Sequence, residues 1–134
     1  FHMKPNGVFW VSGRTAGVTE TRRFLASKRK VDFATQSGPM LVIDGKLHPR
    51  FREDGTSRKI RNGVGVRNGR TAVFAISNAA VTFTDFATLF RDVLGCPDAL
   101  FLDGSISSLL APSLRRADFL MPVGPIVAAF ERPR

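Results

Sequence analysis

The sequence predicts an α+β fold: a mixed, largely antiparallel sheet with hairpins and a few packed helices. Three observations carry that expectation. Two apolar runs are interrupted by dipeptides that tolerate positive φ, Asp44-Gly45 in MLVIDGKLH and Asn68-Gly69 in GVGVRNGRTAVFAIS, each the signal of a type I′ hairpin. From Thr84 the apolar period turns helical, with Phe86, Leu89, Phe90, Val93 and Leu94 on one face. The run DALFLD, residues 98–103, is apolar without alternating, as a strand covered on both faces must be.

The elements follow in order. GVFWV, residues 7–11, is β-prone with an aromatic pair, and TETRRFLASK, residues 19–28, reads as a helix capped at Thr19 or a neighbour. The two hairpins come next, separated by a polar loop near residues 50–59. The helix after them takes Thr84 as its N-cap, Asp85 in its first turn and Gly95 as its C-terminal stop. After DALFLD, the closing GPIVAAFE, residues 124–131, reads as a second strand of the same buried kind.

At 134 residues, with 43% apolar residues and twelve Phe, the chain is sized for one domain, 1–134, with a substantial core. No apolar run approaches the ~20 residues that span a bilayer, and the opening FHMKPNGVFW lacks the order of a signal peptide. That opening reads as a start inside the domain, which is expected to lack its N-terminal part. One cysteine, Cys96, excludes an internal disulfide. His2 and His48 stand too far apart for metal-ligand spacing, so no metal site or cofactor is assigned and a divalent-ion requirement stays open. The net charge of +9, from 20 basic against 11 acidic residues, gathers in RRFLASKRK and RFREDGTSRKIR; it favours anionic partners or else makes a solvated face.

The candidate chemistry centres on Asp103. A carboxylate at the end of a buried strand, followed by glycine and serines, is either held by nearby N–H groups as an Asx-type turn cap or is used for its charge. In KIRNGVGV, Arg61 and Asn62 present hydrogen-bonding forks just before Gly63, suited to gripping a phosphate or carboxylate; the alternative is an exposed arginine entering a hairpin. Gln36 and Ser37 in ATQSGP offer polar groups at a strand-to-turn junction or are plain turn chemistry. Ser105, Ser107 and Ser108 do not form a nucleophile elbow, the glycines of GVGVRNG lack the lysine of a phosphate loop, and Trp10 is either core or a sugar-stacking platform.

Taken in order, PNGVF, ATQSGPMLVIDGK, RNGVGV, FTDFATLFRDVLGCPDALFLDGSISS and a closing GPIV resemble the phosphodiester glycosidase family, over residues 5 to 127. They are most similar to its bacterial branch of uncharacterised exported or envelope proteins. The animal member of the family removes N-acetylglucosamine from a phosphodiester on lysosomal mannose. The resemblance implies an α+β domain, a hydrolase that cleaves a sugar from a sugar-1-phosphodiester, and export to the bacterial periplasm or cell envelope. The family signature is a strand ending in Leu-Asp-Gly-Gly before small residues and serine; here it becomes Leu102, Asp103, Gly104, Ser105, Ile106, Ser107, Ser108. Ser105 replaces the second glycine and Ile106 adds bulk, which reshapes the pocket, so the animal enzyme's substrate does not transfer. The family arginine before a Val-Gly pair falls at Arg61.

On this reading Asp103 and Arg61 are the catalytic pair, the carboxylate for an oxocarbenium-like carbon and the guanidinium for the leaving phosphate. Gln36, Ser37, Asn62, Gly63, Gly104, Ser105, Ser107 and Ser108 contact substrate, and Arg61, Gln36 and Asp103 are expected to converge on one pocket. A phosphate leaving group is already a weak base, which lessens the need for a second carboxylate as general acid. The rival is a non-catalytic envelope module that binds anionic glycans through its arginine-rich face and has no use for Asp103. Nucleic acid is disfavoured as a partner, because the phenylalanines follow helix and strand periods and are not interleaved with the basic residues. The oligomeric state is not readable.

Overall fold

The computed structural model describes residues 3–103, 106–119, 121, 122, 124 and 126–131. The fold is α+β and sheet-dominated, and every described strand pairing is antiparallel. Strands β1 (Gly7–Ser12), β2 (Thr15–Glu20) and β3 (Phe33–Ser37) form one sheet in the order β2-β1-β3. Strands β4 (Met40–Ile43), β5 (Lys46–Leu47), β6 (Asn62–Arg67), β7 (Thr71–Ile76) and β8 (Asp98–Asp103) form a second, in the order β5-β4-β8-β6-β7. A small hairpin of β9 (Leu110–Ala111) and β10 (Arg116–Ala117) follows. Among the described residues no helix is long and apolar enough to cross a membrane.

Both hairpins form where the dipeptides place them. Asp44 and Gly45 take φ of 49° and 76°, and Asn68 and Gly69 take 56° and 61°, the paired left-handed values that a two-residue turn between twisted strands needs. Strand β8 is central in the five-stranded sheet and both its faces are covered. Leu100 packs with Phe9, Ala16, Val18, Met40, Val64 and Val66 between the two sheets, while Ala99 and Phe101 pack with Phe86, Ala87, Phe90 and Cys96 on the other side. Non-alternating apolarity thus reported two packed faces. Gly63 is required in β6, since a Cβ there would lie 2.8 Å from the Leu100 carbonyl oxygen.

Helix α1 (Thr21–Ala26) starts after Glu20, whose carboxylate caps it by accepting from the Arg23 N–H at 3.0 Å. Helix α2 (Phe83–Thr88) corrects the expected start. Its N-cap is Thr82, not Thr84, in a reciprocal capping box with Asp85, while the Thr84 hydroxyl donates to the Arg52 carbonyl at 2.8 Å. Beyond Thr88 the coil widens into a π turn, Leu89–Val93. The wider turn shifts the phase of the apolar face, so Phe90 is fully buried but Val93 is 73% exposed, against the helical spacing. Gly95 ends the segment at φ 65°, as expected.

The strand expected in GPIVAAFE does not form among the described residues. Residues 126–131 carry no regular structure and are exposed, and a strand without a ladder partner has nothing to satisfy its backbone. Pro125 lies outside the described residues.

Candidate functional site

The end of β8 is set by a bulge. Gly63 pairs with Phe101 but Asn62 pairs with Asp103, so Leu102 is the extra residue and Asp103 is brought opposite Asn62 at the edge of the core, where it is exposed. The Asn62 Nδ2 donates to the Ser107 hydroxyl at 2.9 Å, and that hydroxyl lies 3.3 Å from the Asp103 carbonyl oxygen. Three of the residues singled out in the sequence, Asn62, Asp103 and Ser107, therefore form one cluster. Ser37 joins it from the other sheet: its buried hydroxyl donates to the Leu102 carbonyl at 2.9 Å and so fixes β3 to the end of β8.

Gln36, one residue before that clip, lines a cleft of about 470 Å³ with Lys4, Asn6, Glu20, Thr21 and Arg22. Its Nε2 donates to the Thr21 hydroxyl at 3.2 Å. The opposite wall is the strap of residues 4–6, whose three carbonyls are taken by donors from α1, from β4 and from the turn after β5. Lys4 O accepts from His48 Nε2 at 3.0 Å, Pro5 O from the Met40 N–H at 3.0 Å, and Asn6 O from the Thr21 N–H at 3.0 Å. His48 is buried and its Nδ1 accepts from the Arg50 N–H at 3.1 Å, which leaves Nε2 as the protonated nitrogen facing Lys4. Burial holds the imidazole below its ordinary pKa. The Asn6 side chain packs directly on Gly38, where any Cβ would collide with it, and its Oδ1 is buried with no hydrogen-bond partner among the described residues.

Arg61 lies elsewhere. Its side chain, 1% exposed, runs to the α2 side of the sheet, where Nε donates to the Val81 carbonyl at 2.9 Å and Nη2 to the Ser57 carbonyl at 2.8 Å. The guanidinium sits 3.7 Å from the Phe83 ring centroid and 5.6 Å from that of Phe101. Ser57 and Phe83 also line a smaller concavity of about 200 Å³, with Phe51 and Thr82. Burial lowers the pKa of Arg61 from its ordinary value, yet two charge-assisted bonds and an aromatic face compensate the cation there. The structure thus does not bring the Arg61 guanidinium into the cleft with Gln36.

The other residues expected at the site separate as well. Ser108 donates to the Asp118 carbonyl at 2.9 Å and secures the β9–β10 hairpin, and Gly63 is buried inside the sheet. Gly104 and Ser105 lie outside the described residues. Trp10 is core: its indole N–H donates to the Thr19 hydroxyl at 3.0 Å, its ring covers Gly17, and Arg29 lies 4.1 Å from the ring centroid. Sequence reasoning missed Lys4, Asn6, Glu20, Thr21 and Arg22 as lining residues. The one available signal was an Asn-Gly pair opening the first strand. Among the described residues no three His, Cys, Asp or Glu side chains gather as metal ligands would.

A relative from Escherichia coli (strain K12), "Uncharacterized protein YigE", is 42% identical over 109 residues, which cover 81% of this chain and 42% of that protein. The chain spans less than half the length of that relative. Residues 1–124 match the description "Phosphodiester glycosidase", a span that holds every strand from β1 to β10 together with the cleft and Asp103. On that match the chain belongs to the phosphodiester glycosidase family.

Proposed function

We propose that this domain carries the hydrolytic centre of a glycosidase that cleaves a sugar from a sugar-1-phosphodiester, with Asp103 as its working carboxylate. The observation that carries the reading is the placement of Asp103. A bulge puts it at an exposed strand end opposite Asn62, tied through the Ser37–Leu102 bond to β3, whose preceding residue, Gln36, lines the cleft. In the reaction the bond from the anomeric carbon to the phosphate oxygen breaks and the bond to a water oxygen forms. The electron pair leaves with the phosphate monoester, and the water proton passes to solvent or to that monoester. Asp103 faces the positive charge that develops on the sugar ring, and Asn62 and Ser107 fix the backbone that presents it.

Arg61 enters this reading as a positioning residue. By holding the carbonyls of Ser57 and Val81 it fixes the segment that leads into Asn62. The test is sugar release from a panel of sugar-1-phosphodiesters. Asp103→Asn keeps the shape and removes the charge, so turnover of the folded protein is expected to fall by roughly a hundredfold or more. Full activity in Asp103→Asn removes that residue from the mechanism. A wild-type protein that is inert on every phosphodiester yet binds anionic glycans moves the reading to a binding module.

A further inference from the structure

Resting on that reading, we propose that the cleft between residues 4–6 and 20–22 seats the phosphate of the substrate, with Lys4 and Arg22 as counter-charges and Asn6 and Gln36 as neutral contacts. Five observations meet here.

The first is charge. Lys4 and Arg22 come from segments that only the fold brings together, both are exposed, and neither makes an ion pair among the described residues. The neighbouring Arg23 differs, since it is paired with Asp44 at 2.9 Å. The carboxylate in the cleft, Glu20, has one oxygen engaged by the Arg23 N–H as the cap of α1. Two cations against one partly committed carboxylate leave the cleft net positive.

The second is the Asn6 oxygen, buried and unpartnered among the described residues. Such an atom costs about 1–3 kcal/mol while it stays unpaired, and a ligand donor recovers that cost once the Asn6 side chain turns off Gly38. The third is size, because about 470 Å³ lies within the range of small-ligand sites. The fourth is connection: Gln36 and Ser37 point to opposite faces of β3, so the strand that lines the cleft with one residue clips the Leu102 carbonyl, at the end of β8, with the next. The fifth is the commitment of Arg61, the forked cation expected for this task, to two backbone carbonyls on the other side of the sheet.

The experiment is calorimetric titration at low ionic strength with three probes: glucose 1-phosphate, inorganic phosphate and glucose. The protein is expected to bind glucose 1-phosphate more tightly than inorganic phosphate, and glucose least. Binding of inorganic phosphate with equal affinity assigns the cleft to a free anion and overturns its role in seating a sugar phosphate. Lys4→Gln/Arg22→Gln is expected to weaken glucose 1-phosphate by on the order of tenfold or more, with a flatter salt dependence, and Lys4→Arg to keep the affinity. Unchanged affinity in the double variant, or no binding of either phosphate probe by the parent protein, overturns the proposal. Asp103→Asn separates it from the hydrolase reading. If Asp103→Asn binds normally but the parent shows no turnover, the cleft stands and the hydrolase reading falls; turnover whose KM ignores the double variant overturns the cleft alone.

Discussion

The α2 side of the five-stranded sheet and the cleft beside the three-stranded sheet treat polar side chains in opposite ways. On the α2 side a full guanidinium, Arg61, is buried, and its polar groups meet carbonyls and aromatic rings. On the side of the three-stranded sheet, Lys4 and Arg22 stand exposed at a cleft where a buried amide oxygen lacks a partner among the described residues. The first arrangement is what stability requires of a buried charge. The second is less stable than it need be, which is the usual mark of a surface kept for a ligand.

The sharpest way to break that comparison is Arg61→Ala. It strips two carbonyls of their donors and empties the space over Phe83, and is expected to lower stability by about 2–4 kcal/mol in chemical denaturation. Glucose 1-phosphate affinity of the folded protein should not change. A variant that stays stable but loses that affinity would return Arg61 to the binding site.

His48 gives a smaller, pH-dependent effect. Its folded-state pKa is lowered by burial, with Arg50 adding to the shift, so below 6.5 the unfolded chain takes up a proton that the folded chain resists. Its contribution is therefore intact above 6.5 and is lost as pH falls towards the depressed folded value, with a slope of up to about 1.4 kcal/mol per pH unit. Denaturation curves of the parent and His48→Gln between pH 7 and about pH 5 should diverge in slope, the variant being flatter. Parallel curves would mean that the imidazole is not held neutral.

The smallest effect on stability belongs to Asn6→Ala, expected within about 1 kcal/mol because the lost oxygen made no hydrogen bond. Its glucose 1-phosphate affinity should fall even so. A loss above about 2 kcal/mol would make Asn6 a structural residue and erase the contrast between the cleft and the α2 side.

Much of the fold was legible because its signals are local. Asp44-Gly45 and Asn68-Gly69 adopt their turns for reasons contained in the dipeptides, and DALFLD announces a doubly covered strand by its composition. The capping box Thr82–Asp85 was also written in the sequence, but Thr84 beside an acid offered the same cue two residues on. The π turn was not legible, since the same apolar residues satisfy an α-helical period until packing selects the wider coil. The place of Asp103 at a strand end was legible because its strand could be read. The direction of Arg61 was not, because a residue beside a strand is assigned a face only by what packs there. The cleft was hidden for a different reason: residues 4–6, 20–22 and 36 meet through tertiary bonds that no single segment encodes.

The strap of residues 4–6 has a consequence for binding entropy. Its three successive carbonyls are held by His48 and Met40, from the β4–β5 hairpin and the turn after it, and by Thr21 of α1, so this wall of the cleft opens only when both parts of the fold let go together. A ligand arriving there meets a wall already immobilised, and little of its interaction energy goes into ordering backbone. The amide protons of Met40 and Thr21 donate into that strap, which makes them built-in reporters: slow, correlated hydrogen exchange at both positions is the signature of a wall that was rigid before anything bound.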